Sequence, residues 1–183
     1  MAEYYLISQL PSLDAISETA PLPITVERFM ELCECSLSNK IMCKLKKLTI
    51  GPPVNFESSG NYFVDEWNAC ERDLRLALGK ARANKLNKPF ALQNATVNSE
   101  LCNVVNAAVE LTDPLEAEIF LLRYRLHFLE NLRPLNAFSE HFLFYYALKL
   151  KLLSRIRQFD TEFGKVTYKN IYSSIMYGDS LET

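Results

Sequence analysis

Catalysis or metal binding near neutral pH needs nucleophiles, imidazoles or paired carboxylates at workable spacing, and the chain holds a few of each. His127, His141 and the five cysteines Cys33, Cys35, Cys43, Cys70 and Cys102 are the residues that could ligate zinc or form a Cys–His nucleophilic pair. The two histidines lie 14 residues apart, with no cysteine or carboxylate at ligand spacing around them. Cys33 and Cys35 are two residues apart, which on a helix turns their side chains about 200° from each other, so they cannot clasp one ion. Glu116/Glu118 and Asp65/Glu66 could serve acid–base chemistry, yet each pair falls in the first turn of an expected helix, where the helix dipole already accounts for it. Neither Gly-x-Gly-x-x-Gly nor Gly-Lys-Ser/Thr occurs, so both standard phosphate-cradling glycine loops are missing. The expectation is a chain without catalytic residues, metal or cofactor. Its cysteines read as buried small hydrophobes, and its tyrosines, Tyr145 and Tyr146 included, as core or interface residues.

The elements that would position these residues read as helices. Five glycines in 183 residues are too few for a sheet-rich domain full of tight turns. Tyr4-Tyr5-Leu6-Ile7, ending at Leu10-Pro11, fits either an extended start or a first helical turn. After Pro21 and Pro23, Thr25 caps a helix over 26–36 with Val26, Phe29, Met30 and Cys33 recurring at helical spacing, and Ser38 caps a second carrying Ile41, Leu45 and Leu48. Residues 51–61 hold two prolines and two glycines and break the chain. A long helix over 62–86 follows, with Phe63, Trp67, Cys70, Leu74 and Leu78 on its stripe. A short helix runs from Asn98 or Ser99 to about residue 109, with Leu101, Val104, Val105 and Ala108 apolar. Asp113-Pro114-Leu115-Glu116 marks a helix start at residue 114, through a capping carboxylate and a proline in the first turn. Its stripe is Leu115, Ile119, Leu122, Leu126 and Leu129, and Arg133-Pro134 ends it. Ser139 caps a helix whose apolar face, Phe142, Tyr145, Leu148, Leu152, Ile156 and Phe159 widened by Leu150 and Leu153, is broad enough to require a central position. Asp160 caps a last helix with Phe163, Ile171 and Ile175, and Gly79 and Gly164 are expected at close helix contacts.

The fold class is therefore all-α: an irregular bundle of about six to seven helices, with room for a short extended N-terminal segment. The organisation reads as an N-terminal helical hairpin over 1–50, a linker over 51–61, a main bundle over 62–177 and a frayed tail over 178–183, in one compact domain or in two modules.

Composition excludes other classes. With 49% hydrophobic residues the chain is not disordered, and no apolar run reaches the roughly 20 residues of a membrane span. A net charge of −2 argues against nucleic acid as a partner. The odd cysteine count and the lack of a secretory signal point to the cytoplasm. Charge also alternates along the chain. Residues 1–37 hold one Lys/Arg against six Asp/Glu, 38–88 ten against five, 89–118 none against five, and 119–169 nine against four. Neighbouring segments are thereby expected to attract one another in the fold.

Tyr4-Tyr5-Leu6-Ile7 with Leu10-Pro11, then Asp113-Pro114-Leu115-Glu116-Ala117-Glu118, then Tyr146-Ala147-Leu148-Lys149-Leu150 with Arg155, Phe159, Asp160 and Gly164, resemble in order and spacing a bacterial protein family. Its genes lie among those of V/A-type (vacuolar-like) rotary ATPases. The resemblance implies a subunit or accessory factor of that proton- or sodium-translocating ATPase, with the helical C (also called d) subunit, which couples the central stalk to the rotor ring, as the counterpart. Partners would be stalk- or rotor-side ATPase subunits, and the chain would sit peripherally at the cytoplasmic face of the membrane without inserting. Family members run longer, which implies fewer helical modules here. The resemblance brings no catalytic motif. The residues themselves leave open, as the alternative, a free-standing cytoplasmic helical adaptor unrelated to the ATPase. Tyr4, Tyr5, Lys149, Lys151, Arg155 and Arg157 are the candidate interface residues, the four basic ones as a docking rim for an acidic surface.

Overall fold

A computed structural model of the chain describes residues 2–14, 16, 20–51, 58–90, 99–159 and 161–178. Eight α-helices, and no strand, occur among them: α1 Ala2–Gln9, α2 Val26–Ser36, α3 Asn39–Lys47, α4 Tyr62–Lys85, α5 Ser99–Glu110, α6 Pro114–Asn131, α7 Glu140–Gln158 and α8 Thr161–Gly178. The all-α class is thus shown, and the opening segment is helix rather than strand.

Side-chain caps set where several helices begin, because the first turn of a helix has amides without intrahelical acceptors. Thr25 Oγ1 accepts from the Arg28 amide at 3.2 Å, Asp113 Oδ1 from Leu115 at 2.9 Å and Ser139 Oγ from Phe142 at 3.3 Å. Asn61 Oδ1 accepts from both Phe63 and Val64, after a turn that Gly60 makes at φ 69°, a backbone conformation costly for residues with a β-carbon. Ser38 holds the N-cap position of α3 without a capping bond. At the end of α4, Asn87 takes φ 52° and the Lys88 amide reaches back to the Ala83 carbonyl, closing the helix as glycine often does elsewhere.

Helix α7 is the axis of the bundle. Every residue from Leu143 to Leu150 is buried, and α2, α3, α4 and α6 all pack on it. The main core joins α7 to Leu6 and Ile7 of α1, Phe29 and Cys33 of α2, Leu45 of α3, Trp67 of α4 and Leu122 and Leu129 of α6. The hairpin segment over 1–50 therefore shares its core with the bundle. A smaller cluster unites Leu74, Ala77 and Leu78 of α4, Leu101, Val105 and Ala108 of α5, and Leu121 of α6. α4 and α6 each contribute to both clusters.

Several expectations change. Among the described residues Gly79 meets no neighbouring helix; the ring of Phe90, from the chain just after α4, lies 3.0 Å from where its β-carbon would stand. Gly164 has nothing within 4 Å of that position among the described residues. α8 forms, but Val166, Tyr168, Ile171, Tyr172 and Ile175 are exposed, and no described side chain of α8 enters either cluster. Helical spacing secured the helix and not a packing partner. Cys35, Cys43 and Cys102 are exposed and Cys70 half-buried, so only Cys33 matches the buried-hydrophobe reading. α8 runs through Gly178. The expected caps at Asn98 and Asp160, much of the linker (52–57) and residues 179–183 of the tail lie outside the described residues.

Truncating a fully enclosed side chain of α7 removes its transfer energy and leaves a cavity. Leu148→Ala is expected to lower unfolding free energy by about 2–5 kcal/mol, and Glu31→Ala, on exposed α2 surface, by less than about 0.5 kcal/mol, as read by urea denaturation.

Candidate interaction surface around the N-terminal helix

α1 buries Leu6 and Ile7 and turns Tyr4 and Tyr5 outward, a division that follows from helical geometry with only one face against the core. Tyr4 stacks on Phe138 with ring centroids 4.3 Å apart. Phe138 comes from the loop between α6 and α7, where Asn136 Oδ1 accepts from the Phe138 amide at 3.0 Å and the Asn136 carbonyl accepts from Ser139 Oγ at 2.8 Å. These bonds fix a loop that also presents Leu135, wholly exposed. Tyr4, Tyr5, Leu135 and Phe138 are all exposed large hydrophobics, and they come from two segments joined by the Tyr4–Phe138 stack.

Beside Phe138 is a cavity of about 280 Å³, walled also by Leu10, Pro11, Phe142, Tyr145 and Tyr146. Asp14, Arg133 and Lys149 also line it and form its charged wall. Lys149 Nζ, on a side chain only 9% exposed, lies 3.0 Å from Asp14, 2.6 Å from Glu130 and 3.2 Å from Tyr145 Oη. Tyr145 Oη donates to Glu130 Oε2 at 2.7 Å, and Arg133 donates both Nη atoms to Asp14 at 3.2 and 3.1 Å. Tyr146 Oη donates to the Pro11 carbonyl at 2.8 Å. The segment after α1 is therefore clamped to α6 and α7 by charge and hydrogen bonds as well as by apolar burial.

The electrostatics are those of a clamp. Burial pulls the Lys149 pKa down, but hydrogen bonds to Glu130, Asp14 and Tyr145 outweigh it, and the net shift is upward. Burial, with the Glu130 bond second, pushes the Tyr145 phenol up to about 12. Lys149 stays charged and Tyr145 neutral across the physiological range, and neither is poised near neutrality as a general acid or base. Cys33 and Cys70 are likewise pushed up to about 12, chiefly by burial, which keeps both thiols protonated. Among the described residues, no group of three or more His, Cys, Asp or Glu is placed to hold a metal ion. Of the carboxylate pairs, Asp65 accepts from Ser58 Oγ at 2.6 Å and the Ser59 amide at 2.8 Å in front of α4, and Glu118 pairs with Arg155 at 3.4 Å.

The expected basic docking rim does not form. Lys149 is enclosed in the clamp, and Lys151 donates to the Leu48 carbonyl at 2.6 Å, supporting the end of α3. Arg155 stays partly exposed, pairs with Glu118 of α6 and lies over the Phe159 ring at 5.6 Å, and Arg157 is half-buried near the end of α7. Lys149, Lys151 and Arg155 serve different neighbours because α7 is covered on several sides at once. Tyr4 and Tyr5 are on the surface, joined by Leu135 and Phe138, which periodicity could not flag because they sit in a loop. Lys149 did carry a signal: the first charge to interrupt the apolar run that begins at Phe142 demands a partner once that run is central. No helix among the described residues is long and apolar enough to cross a membrane.

The Lys149 hydrogen bond first, and that of Arg133 after it, hold the Asp14 carboxyl below its ordinary 3.8 against a partial burial that works the other way. A depressed carboxyl contributes stability that is complete above its unfolded value and is lost as pH falls through the folded one. Unfolding measured between about pH 5 and about pH 2.5 is expected to show wild-type stability falling more steeply than that of Asp14→Asn. Parallel curves would remove the clamp as a source of acid sensitivity.

No protein-family model, curated protein or solved structure matches the chain, so its function is argued from these residues and from the resemblance of its motifs.

Proposed function

We propose that the chain is a non-catalytic structural or coupling subunit, or an accessory factor, of a V/A-type proton- or sodium-translocating rotary ATPase. It acts through protein–protein contacts at the cytoplasmic side of the membrane. The observation that carries the docking part is the exposed Tyr4–Phe138 stack, with Tyr5 and Leu135 exposed on the same two segments. Grouped exposed apolar side chains mark interaction sites, and tyrosine and phenylalanine supply large contact area for little ordering entropy. The adjoining clamp supports this role, since a patch fixed before binding loses less freedom on association. The choice of an ATPase as partner rests on the motif resemblance, in which Tyr4, Tyr5 and the Lys149 segment take part. In this reading Lys149 acts indirectly, by holding the surface, and the contacting residues are aromatic and aliphatic rather than basic.

Affinity purification of the tagged chain from its native cells, under conditions that keep the ATPase assembled, is expected to recover ATPase subunits. Tyr5→Ser combined with Leu135→Ser is expected to weaken that association about tenfold with an unchanged melting temperature, because both side chains are exposed. Recovery of no ATPase subunit would overturn the assignment. Full recovery by the double variant would move the docking surface elsewhere.

A further inference from the structure

Between the second half of α4 and α6 lies another cleft, of about 360 Å³. α4 lines it with Arg75, Gly79 and Arg82, at i, i+4 and i+7 on one helical face, and α6 with Glu118, Leu121 and Arg125 at i, i+3 and i+7. A buried ion pair spans the two helices here. Glu71, 2% exposed, accepts from Arg125 Nε and Nη2 at 2.8 and 2.9 Å and also from Arg75 Nε at 3.2 Å.

The charges around this cleft do not balance. One carboxylate, Glu71, serves two guanidiniums, and Glu118 is taken by Arg155 at 3.4 Å. The Arg82 guanidinium has no hydrogen-bond or ion-pair partner among the described residues. Four guanidiniums therefore stand against two carboxylates. Arg125 is itself buried and is paired by Glu71, so the surplus positive charge falls on Arg75 and Arg82 at the more exposed side of the cleft. Two of the Arg125 nitrogens are committed to Glu71, which fixes the plane of the guanidinium and leaves Nη1 for a ligand. Gly79 puts bare backbone between Arg75 and Arg82, with the Phe90 ring 3.0 Å from the missing β-carbon as an apolar neighbour. Leu78 and Leu121 add apolar lining.

We propose that this cleft binds a phosphate dianion, either free or as the monoester end of a small molecule. Two negative charges cancel the local excess, and guanidinium forks pair with phosphate oxygens through charge-assisted hydrogen bonds. Arg82 supplies a whole free fork and Arg125 a pre-oriented nitrogen, while Leu78 and Leu121 offer apolar surface to an ester group. The site involves none of the residues of the aromatic patch and stands or falls separately from the ATPase assignment.

Amide NMR of the full chain, titrated with inorganic phosphate and with phenyl phosphate at constant ionic strength in chloride, tests it. Saturable shifts are expected at Leu78–Arg82 and Leu121–Arg125. Arg82→Gln, at an exposed and unpaired position, is expected to weaken binding about tenfold, and Lys80→Gln, exposed on another face of α4, less than about twofold. Tighter binding of phenyl phosphate than of phosphate upholds the site with a monoester as its ligand; equal or weaker binding upholds it with free phosphate. Absence of saturable shifts at these amides, undiminished binding by Arg82→Gln, or an equal loss in Lys80→Gln overturns the proposal.

Discussion

Burial of α7 on all sides is the constraint from which the rest of the structure follows. A helix enclosed from Leu143 to Leu150 cannot leave any flank open to water, so α2, α3, α4 and α6 must surround it. The remaining flank falls to the segment that follows α1, which is too irregular to supply its own backbone hydrogen bonds. Tyr146 donates to the Pro11 carbonyl, Lys149 to Asp14, and Lys151 to the carbonyl that ends α3. The polar tips of α7 are thus spent on satisfying chain ends and loops around it.

The two polar groups of neighbours at the edge of the apolar interior differ in kind. Lys149 reaches carboxylates that are themselves half in solvent, so its cluster remains hydrated on one side. Glu71 and Arg125 are both nearly enclosed, and their bidentate bonds are what makes that burial tolerable, since removing either partner would strand a charge inside. The first cluster ties down a loop. The second joins two helices where hydrophobic burial alone does not close the gap between them.

Helical periodicity made most of the fold legible. Thr25, Asp113 and Ser139 cap helices that begin where these residues stand, and the wide stripe on α7 correctly required a central position. The limits of such reading are equally specific. An apolar stripe says that a face prefers burial and not that a neighbour exists, which is why Ile171 and Ile175 of α8 are exposed. Glu71 lies between Trp67 and Leu74 on the buried side of α4, a position that only a long-range arginine makes reasonable. For the candidate surface, Tyr4 and Tyr5 could be singled out from sequence. Phe138 could not, because it sits in a loop, where periodicity gives no signal, and its stacking partner Tyr4 is remote in sequence. For the basic residues of α7, sequence shows that they share a helix and cannot show that the helix has neighbours on several sides.

The alternating charge blocks acquire a physical meaning from these pairings. Asp14 of the acidic first block meets Arg133 and Lys149 of the basic fourth, and Glu34 of the first meets Lys46 of the second. Glu118 of the acidic third block meets Arg155 of the fourth. Most of these pairs are exposed, and each contributes little to stability. Their value lies in selecting which segments come together, because a wrong pairing of helices would place like charges opposite one another. The departures from this pattern carry the same logic. Glu71 belongs to a basic block and is reached by Arg125 of another basic block, so the block sums could not anticipate it. It is there that α4 and α6 pass from the main core into the smaller one, and a pair with fixed geometry at that crossing holds two otherwise separate apolar clusters in one register.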